Sequence, residues 1–168
     1  FEWLLRDAFD AGLRGGIVSN SDGHKGRPGA SYPGSSLFGS YGGLTCVQAK
    51  ELAREEVWNA YQERRHYATT GARIYLDLAI KVDDKSLPMG SIIETNASTA
   101  EIEVDISPSA PVNRIEILNR GQIVDTIRPK SFSDESGSRV MITWSGAAFR
   151  GRGRQTDWTG DLVVERGR

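Results

Sequence analysis

An aspartate and a histidine one residue apart, Asp22 and His24, are the side chains of this sequence best suited to chemistry. They follow a short apolar run, Ile17 and Val18, that is typical of a strand about to end. A carboxylate and an imidazole are ligands that Zn, Mn and Fe ions accept together. In an extended backbone, residues two apart project to the same side, and Gly23 between them adds no bulk. The spacing therefore permits two metal ligands at the end of a strand.

Each of these residues also has a purely structural interpretation. An Asp-Gly-His sequence is common as a turn in which the aspartate accepts backbone N–H bonds. Lys25 and Arg27 follow directly, and they suit either an anionic substrate group beside a metal or a solvated loop. His66 is the second of the two histidines, and its position near the end of a predicted helix favours contact with the last helical carbonyls over metal ligation. This sequence alone therefore cannot furnish a histidine-rich metal site.

The elements around the Asp-x-His motif alternate between helical and extended patterns. Apolar spacing predicts a helix over Glu2–Leu13, a strand from Ile17, a second strand over residues 44–49 and a second helix over Ala53–His66. The Gly, Pro and Ser residues of 26–43 predict a long loop, packed by its interleaved aromatic side chains. In an α/β arrangement, functional groups collect at the carboxyl ends of strands, where the motif falls.

After residue 70 the pattern changes to a period of two. Apolar and polar residues alternate strictly from Ile74 to Val82, and the alternation returns from Ile102 to Ile106. Asn119–Gly121 predicts the tight link of a hairpin. Further strands are predicted over 112–118, 122–127, 139–144 and 161–165. With no helical period in this half, the sequence predicts a separate antiparallel β-sandwich over residues 71–168, following a first domain over residues 1–70.

Charge and composition exclude some classes of partner. The formal charge is −1 over 168 residues, which predicts no strong attraction to nucleic acid or to an anionic membrane. The arginine–glycine run over 150–154 is accordingly interpreted as a solvated loop rather than an RNA-binding tract. No apolar run approaches the about 18 residues that span a bilayer. A lone cysteine, Cys46, allows no intrachain disulfide, so a reducing and an oxidising compartment both stay open as locations.

Three stretches of the sequence together resemble the polymerase and histidinol phosphatase (PHP) superfamily. They are Ser19–His24, the glycine-rich loop that follows, and Tyr67–Arg73. The chain is most similar to a bacterial branch labelled a domain of unknown function. In that branch a final Asp-x-His motif is followed by a Gly-rich loop, a helix, and a Tyr-Ala-Thr-Thr-Gly segment that leads into a β-sandwich.

The resemblance implies an α+β fold, in which the C-terminal fragment of a distorted β/α barrel precedes the antiparallel β-sandwich. It implies metal-dependent hydrolysis of small phosphate esters at a centre of two or three Zn, Mn or Fe ions. Asp22 and His24 would be metal ligands from the last barrel strand. Lys25 and Arg27 are the cations that we expect near the substrate anion. Arg73 is a further candidate for that role, but a salt bridge between domains is the favoured interpretation for it.

The early histidines and the bridging carboxylate of that superfamily have no counterpart in this sequence. The chain is therefore interpreted as the C-terminal part of a hydrolase, with no complete catalytic site of its own. We expect the isolated chain to be inactive, to bind metal weakly or not at all, and to self-associate through exposed barrel surface. Because the first residue is Phe1, we expect the natural N-terminus to be missing. The alternative is a non-catalytic β-sandwich module that binds carbohydrate or protein.

Overall fold

The computed structural model describes residues 2–21, 26, 42–129, 142, 157–161 and 163. Within these residues lie two short helices and seven strands. In chain order the elements are α1 (Glu2–Asp10), β1 (Leu44–Val47), α2 (Arg54–Gln62), β2 (His66–Thr69), β3 (Tyr75–Val82), β4 (Lys85–Pro88), β5 (Glu101–Ser107), β6 (Ile115–Asn119) and β7 (Gln122–Ile127).

Helix α1 ends at a glycine stop, as the sequence predicts, but at Asp10 rather than Leu13. Gly12 has a φ of +95°, a left-handed conformation that glycine adopts at little steric cost. The Leu13 amide donates to the Ala8 carbonyl at 2.9 Å, and the Gly12 amide donates to the Phe9 carbonyl at 3.0 Å. These two bonds form the Schellman motif that satisfies the last carbonyls of a helix.

Helix α2 is shorter than predicted and ends in the same motif without a glycine. Its N-cap is Ala53, which makes no side-chain cap bond because an alanine has no acceptor. At the other end the Arg65 amide donates to the Ala60 carbonyl at 2.8 Å, and the Arg64 amide donates to the Tyr61 carbonyl at 3.1 Å. Arg64 holds the left-handed position, with a φ of 58°. Glycine is the usual residue there, so the sequence carries no signal for this stop.

The predicted β/α barrel is wrong. Such a barrel needs parallel strands, each followed by a helix that crosses back over the sheet. Strands β1 and β2 flank α2 in the sequence, yet they pair antiparallel, with Leu44 opposite Thr69 and Val47 opposite His66. Every ladder among the described residues is antiparallel. The left-handed turn at Arg64 ends α2 early and sends the chain back along β1, so His66 begins β2 instead of ending α2.

Strand β3 confirms the strand predicted from the period of two between Ile74 and Val82, and its burial alternates from Tyr75 to Leu78 but not beyond. It is the central strand of a three-stranded antiparallel sheet in the order β4–β3–β5. Val82 is buried, whereas Tyr75 is exposed. Strand β4 was not predicted, because its four residues lack alternation. It forms through a tight hairpin at Asp83 and Asp84, whose φ angles of 49° and 59° suit the twist of paired strands.

The hairpin of β6 and β7 confirms the predicted tight link. Arg120 and Gly121 have φ angles of 50° and 73°, as a type I′ turn requires. Among the described residues the hairpin shares no ladder with the β4–β3–β5 sheet, and β1 and β2 form a further two-stranded sheet. Small separate sheets therefore stand where a β-sandwich was predicted. The predicted strands over 139–144 and 161–165 fall mostly outside the described residues.

Few apolar side chains are buried. Among the described residues only Ala60 and Val82 are buried apolar residues, and His66 is the one buried polar residue. Ala60 lies on α2, which packs on β1. The core of the described part is therefore confined to the β1–α2–β2 region and one end of β3.

Candidate functional site

The segment that leads to the Asp-x-His motif is fixed on the end of β1. The Ser19 amide donates to Thr45 Oγ1 at 2.9 Å, and the same hydroxyl donates to the Ser19 carbonyl at 2.7 Å. The Gly43 amide donates to the Asn20 carbonyl at 2.8 Å. One Thr45 hydroxyl thus satisfies both backbone groups of Ser19, as a neighbouring strand would. The segment forms no backbone ladder of its own, which is why the strand predicted from Ile17 is not formed.

Two adjacent glycines allow this close approach. A Cβ atom on Gly43 would lie 1.7 Å from Ser19 Oγ, and a Cβ atom on Gly42 would lie 2.3 Å from the Cα of Ser21. Neither distance is compatible with a side chain at the present backbone positions. The pair Gly42 and Gly43 therefore lets residues 19–21 lie directly against the chain that enters β1.

Removing the Thr45 hydroxyl is expected to release Ser19. A Thr45→Val variant keeps the shape of the side chain but leaves two half-buried backbone groups unpaired, a loss of about 1–3 kcal/mol. Amide hydrogen exchange at Ser19 should then become at least about tenfold faster. Thr45→Ser keeps the hydroxyl and is the matched control, in which exchange should stay near the wild-type rate. Equal exchange in the valine and serine variants would contradict this role.

Most residues proposed for the site fall outside the part of the chain that can be described. These are Asp22, His24, Lys25 and Arg27. Asp22 follows Ser21 directly in the sequence, so the motif begins one residue after the fixed segment. The structure thus describes residues 19–21, the support of the motif, but not the motif itself.

Arg73 is described, and it lies close to that support. Its exposed side chain lines an open cleft of about 480 Å³ together with Thr45, Tyr67 and Tyr75. Thr45 holds Ser19 through a hydrogen bond. Ser19 lies three positions before Asp22 in the sequence. Arg73 forms no ion pair with any described residue, so the alternative of a salt bridge gains no support there.

Tyr67 fixes the position at which β3 begins. Its hydroxyl donates to the Ile74 carbonyl at 2.6 Å and accepts from the Leu76 amide at 3.0 Å. Burial raises the pKa of the Tyr67 hydroxyl, and the neighbouring Cys46 thiol on β1 raises that pKa further. Tyr67 therefore stays a neutral donor at physiological pH and connects β2 to β3 beside the Arg73 cleft.

His66 is packed inside the described structure. The predicted contact of His66 with the last helical carbonyls is not formed. Its side chain is buried, its ring centroid lies 5.0 Å from that of Tyr61, and its Nδ1 has no hydrogen-bond partner among the described residues. A Cβ atom on Gly16 would lie 2.3 Å from His66 Nε2, so the Gly16 backbone covers the ring. This enclosure favours a packing role for His66.

No group of three His, Cys, Asp or Glu side chains is placed to hold a metal ion among the residues that can be described. In the same residues no helix has the length and apolar character to cross a membrane.

Sequence reasoning missed the two residues that organise this region, Thr45 and Tyr67. Both act through tertiary hydrogen bonds to backbone groups, which no local spacing encodes. The adjacent glycines at 42 and 43, directly before a β-strand, were the one available signal, because paired glycines in that position often mark a close backbone approach.

The described residues define a protein of small antiparallel sheets and two short helices, whose Asp-x-His motif follows a segment fixed on β1. The chain belongs to the family described as "Protein of unknown function (DUF3604)", whose model matches residues 18–125. That region contains Asp22, His24 and Arg73.

Relatives among curated proteins carry no functional description. The chain is 32% identical over 94 residues, 53% of its length, to an uncharacterized protein of Chlamydia pneumoniae. It is 32% identical over 92 residues to uncharacterized proteins of Chlamydia muridarum and Chlamydia trachomatis serovar D. The chain spans 14% of the length of each of these relatives. No solved structure matches the chain.

Proposed function

We propose that Asp22 and His24 are two metal ligands of a metal-dependent hydrolase that acts on small phosphate esters. The main support is the motif's connection to a fixed backbone. Asp22 directly follows a segment that Thr45 and Gly43 hold on β1 through three hydrogen bonds. A ligand pair that follows an anchored segment loses less conformational freedom on binding a metal than a pair in an unanchored loop.

The donor set suits the proposed metals. The Asp22 carboxylate and the His24 imidazole would hold a Zn, Mn or Fe ion, which supplies Lewis-acid activation of a phosphoryl group when bound. The chain spans 14% of its relatives' length, so the remaining ligands are proposed to come from the rest of a longer polypeptide. Arg73, in the cleft shared with Thr45, would bind the substrate anion, together with Lys25 and Arg27.

The test compares the full-length gene product with matched variants. Asp22→Asn should lower metal content, measured by mass spectrometry of the purified protein, and reduce p-nitrophenyl phosphate turnover with added Mn or Zn by at least about 100-fold. Asp10→Asn changes an exposed aspartate of α1 in the same way and should alter neither property. Unchanged metal content in Asp22→Asn would contradict the proposal. Robust turnover by this chain alone would contradict the incomplete site.

A second candidate is a non-catalytic module that binds carbohydrate. The observation in its favour is Trp158, which is 46% exposed and could present a ring face to a sugar. Titration with oligosaccharides should then give a saturable change in tryptophan fluorescence that Trp158→Ala abolishes. The two candidates separate cleanly, because phosphate ester hydrolysis would not depend on Trp158.

A further inference from the structure

We propose that an apolar surface at α2, here called the outer face, is an interface covered by the remainder of a longer polypeptide. It consists of Trp58 and Tyr61 on the helix and of Leu52 just before it. This inference concerns assembly, and it does not depend on the proposed hydrolase activity.

The apolar residues of α2 form one broad face, and only part of that face is covered in the described structure. Ala60 is fully buried, α2 packs on β1, and the centroid of the Tyr61 ring lies 5.0 Å from that of the buried His66 ring. Trp58 is 62% exposed, and Leu52, just before the helix, is 100% exposed. An apolar helix face normally packs on a neighbouring element. The described residues leave Trp58 and Leu52 uncovered.

The residues of this face are those that carry binding energy in protein interfaces. Trp58 and Tyr61 line an open cleft of about 640 Å³ together with Leu52 and Val57. Tryptophan and tyrosine are enriched among hot-spot residues, and each can bury about 150–250 Å². A cleft of this size, lined by the two aromatic rings, is suited to accept an apolar side chain from a partner.

The charges at the edge of the cleft indicate the kind of partner. Arg54 and Glu55 lie at the rim and carry opposite signs. A membrane surface or a nucleic acid would favour a rim of cations, whereas an apolar protein surface with a mixed-charge border matches this one.

The lengths of the relatives identify the occupant. The chain spans 14% of each Chlamydia relative, so a protein of that kind has ample further polypeptide to cover the outer face. The described part has a core to complete, since Ala60 and Val82 are its only buried apolar side chains. A single domain of this size would normally bury about 70% of the surface of its unfolded chain. Cover from the same polypeptide supplies that burial without the cost of association.

The first measurement is hydroxyl-radical footprinting read residue by residue by mass spectrometry. In this chain alone Trp58 should oxidise rapidly, and in the full-length gene product its rate should fall about fivefold or more, because interfaces exclude water from their central residues. Equal oxidation of Trp58 in both proteins would overturn the proposal. Protection in the chain alone that rises with its concentration, with none added in the gene product, would assign the face to a second copy and would also overturn it.

A pair of variants gives a second, independent measurement. Trp58→Glu should lower the melting temperature of the gene product but leave that of this chain nearly unchanged, because the side chain is already 62% exposed there. Lys50→Glu introduces the same side chain at an exposed position nearby and should change neither protein. An unchanged melting temperature for Trp58→Glu in the gene product, or a gene product no longer than this chain, would contradict the assignment.

Discussion

Replacing Gly90 by alanine should destabilise the protein by about 2–5 kcal/mol, the sum of an overpacking cost of about 1–3 kcal/mol and a left-handed backbone cost of about 1–2 kcal/mol. Gly90 has a φ of +85°, and a Cβ atom there would lie 2.2 Å from the carbonyl oxygen of Glu63 and 2.6 Å from that of Arg64. Those atoms belong to the turn that ends α2. Arg64 also donates from Nε to the Gly90 carbonyl at 2.9 Å. The backbone of Gly90 therefore cannot move away without breaking the contact that holds this turn.

A second glycine separates the two costs in this prediction. Gly12 also has a left-handed φ, +95°, but a Cβ atom there meets nothing within 4 Å. Gly12→Ala should therefore cost only the conformational part, about 1–2 kcal/mol. The measurement is the free energy of unfolding from urea titration of both variants. If the two variants lose the same stability, the close approach of Gly90 to α2 is not formed in solution.

The second large effect is expected at Gly42. A Cβ atom there would lie 2.3 Å from the Cα and 2.8 Å from the carbonyl oxygen of Ser21. Both are backbone atoms, so the segment before Asp22 must move away. Gly42→Ala should cost about 1–3 kcal/mol. It should also weaken the bond from the Gly43 amide to the Asn20 carbonyl, which would raise the exchange rate of the Gly43 amide hydrogen by about tenfold or more.

Gly15→Ala is the matched control for that variant. The nearest atoms to a Cβ on Gly15 belong to the Leu13 side chain at 3.9 Å, an ordinary contact distance. This substitution should leave the Gly43 amide protected and the stability within about 0.5 kcal/mol of wild type. Normal protection of Gly43 in the Gly42→Ala variant would show that residues 19–21 are not held on β1 as described.

The elements that the sequence predicted correctly are those with a local signal. Strand β3 has an uninterrupted period of two, and the β6–β7 hairpin has a glycine at its turn. Helix α1 ends beside Gly12. The barrel prediction failed because the described strands pair antiparallel, whereas a barrel needs parallel strands. The end of α2 could not be predicted either, because Arg64 takes a left-handed conformation that glycine usually holds.

In the candidate site, too, the sequence predicted the features with a local signal and missed those without one. Residue type and spacing left a turn and a pair of metal ligands both open for Asp22 and His24, and the resemblance to the PHP superfamily favoured the ligands. The support beneath them could not be predicted, since the Thr45 hydroxyl reaches Ser19 across 26 positions of sequence. Such a contact depends on how two segments meet. The glycines at 42 and 43 permit the two segments to approach closely. Their presence does not reveal which side chain will form the hydrogen bonds between the segments.

The most direct test of the metal site uses the fact that the chain has two histidines, His24 and His66. Imidazole ¹⁵N signals of both can be followed by NMR, with a His66 variant for assignment, even where metal binding is weak. We predict that substoichiometric Mn²⁺ broadens the His24 signal first and leaves buried His66 sharp, and that Asp22→Asn removes this selectivity. Equal broadening of both signals, or selective broadening of His24 that persists in Asp22→Asn, would contradict the assignment of Asp22 and His24 as metal ligands.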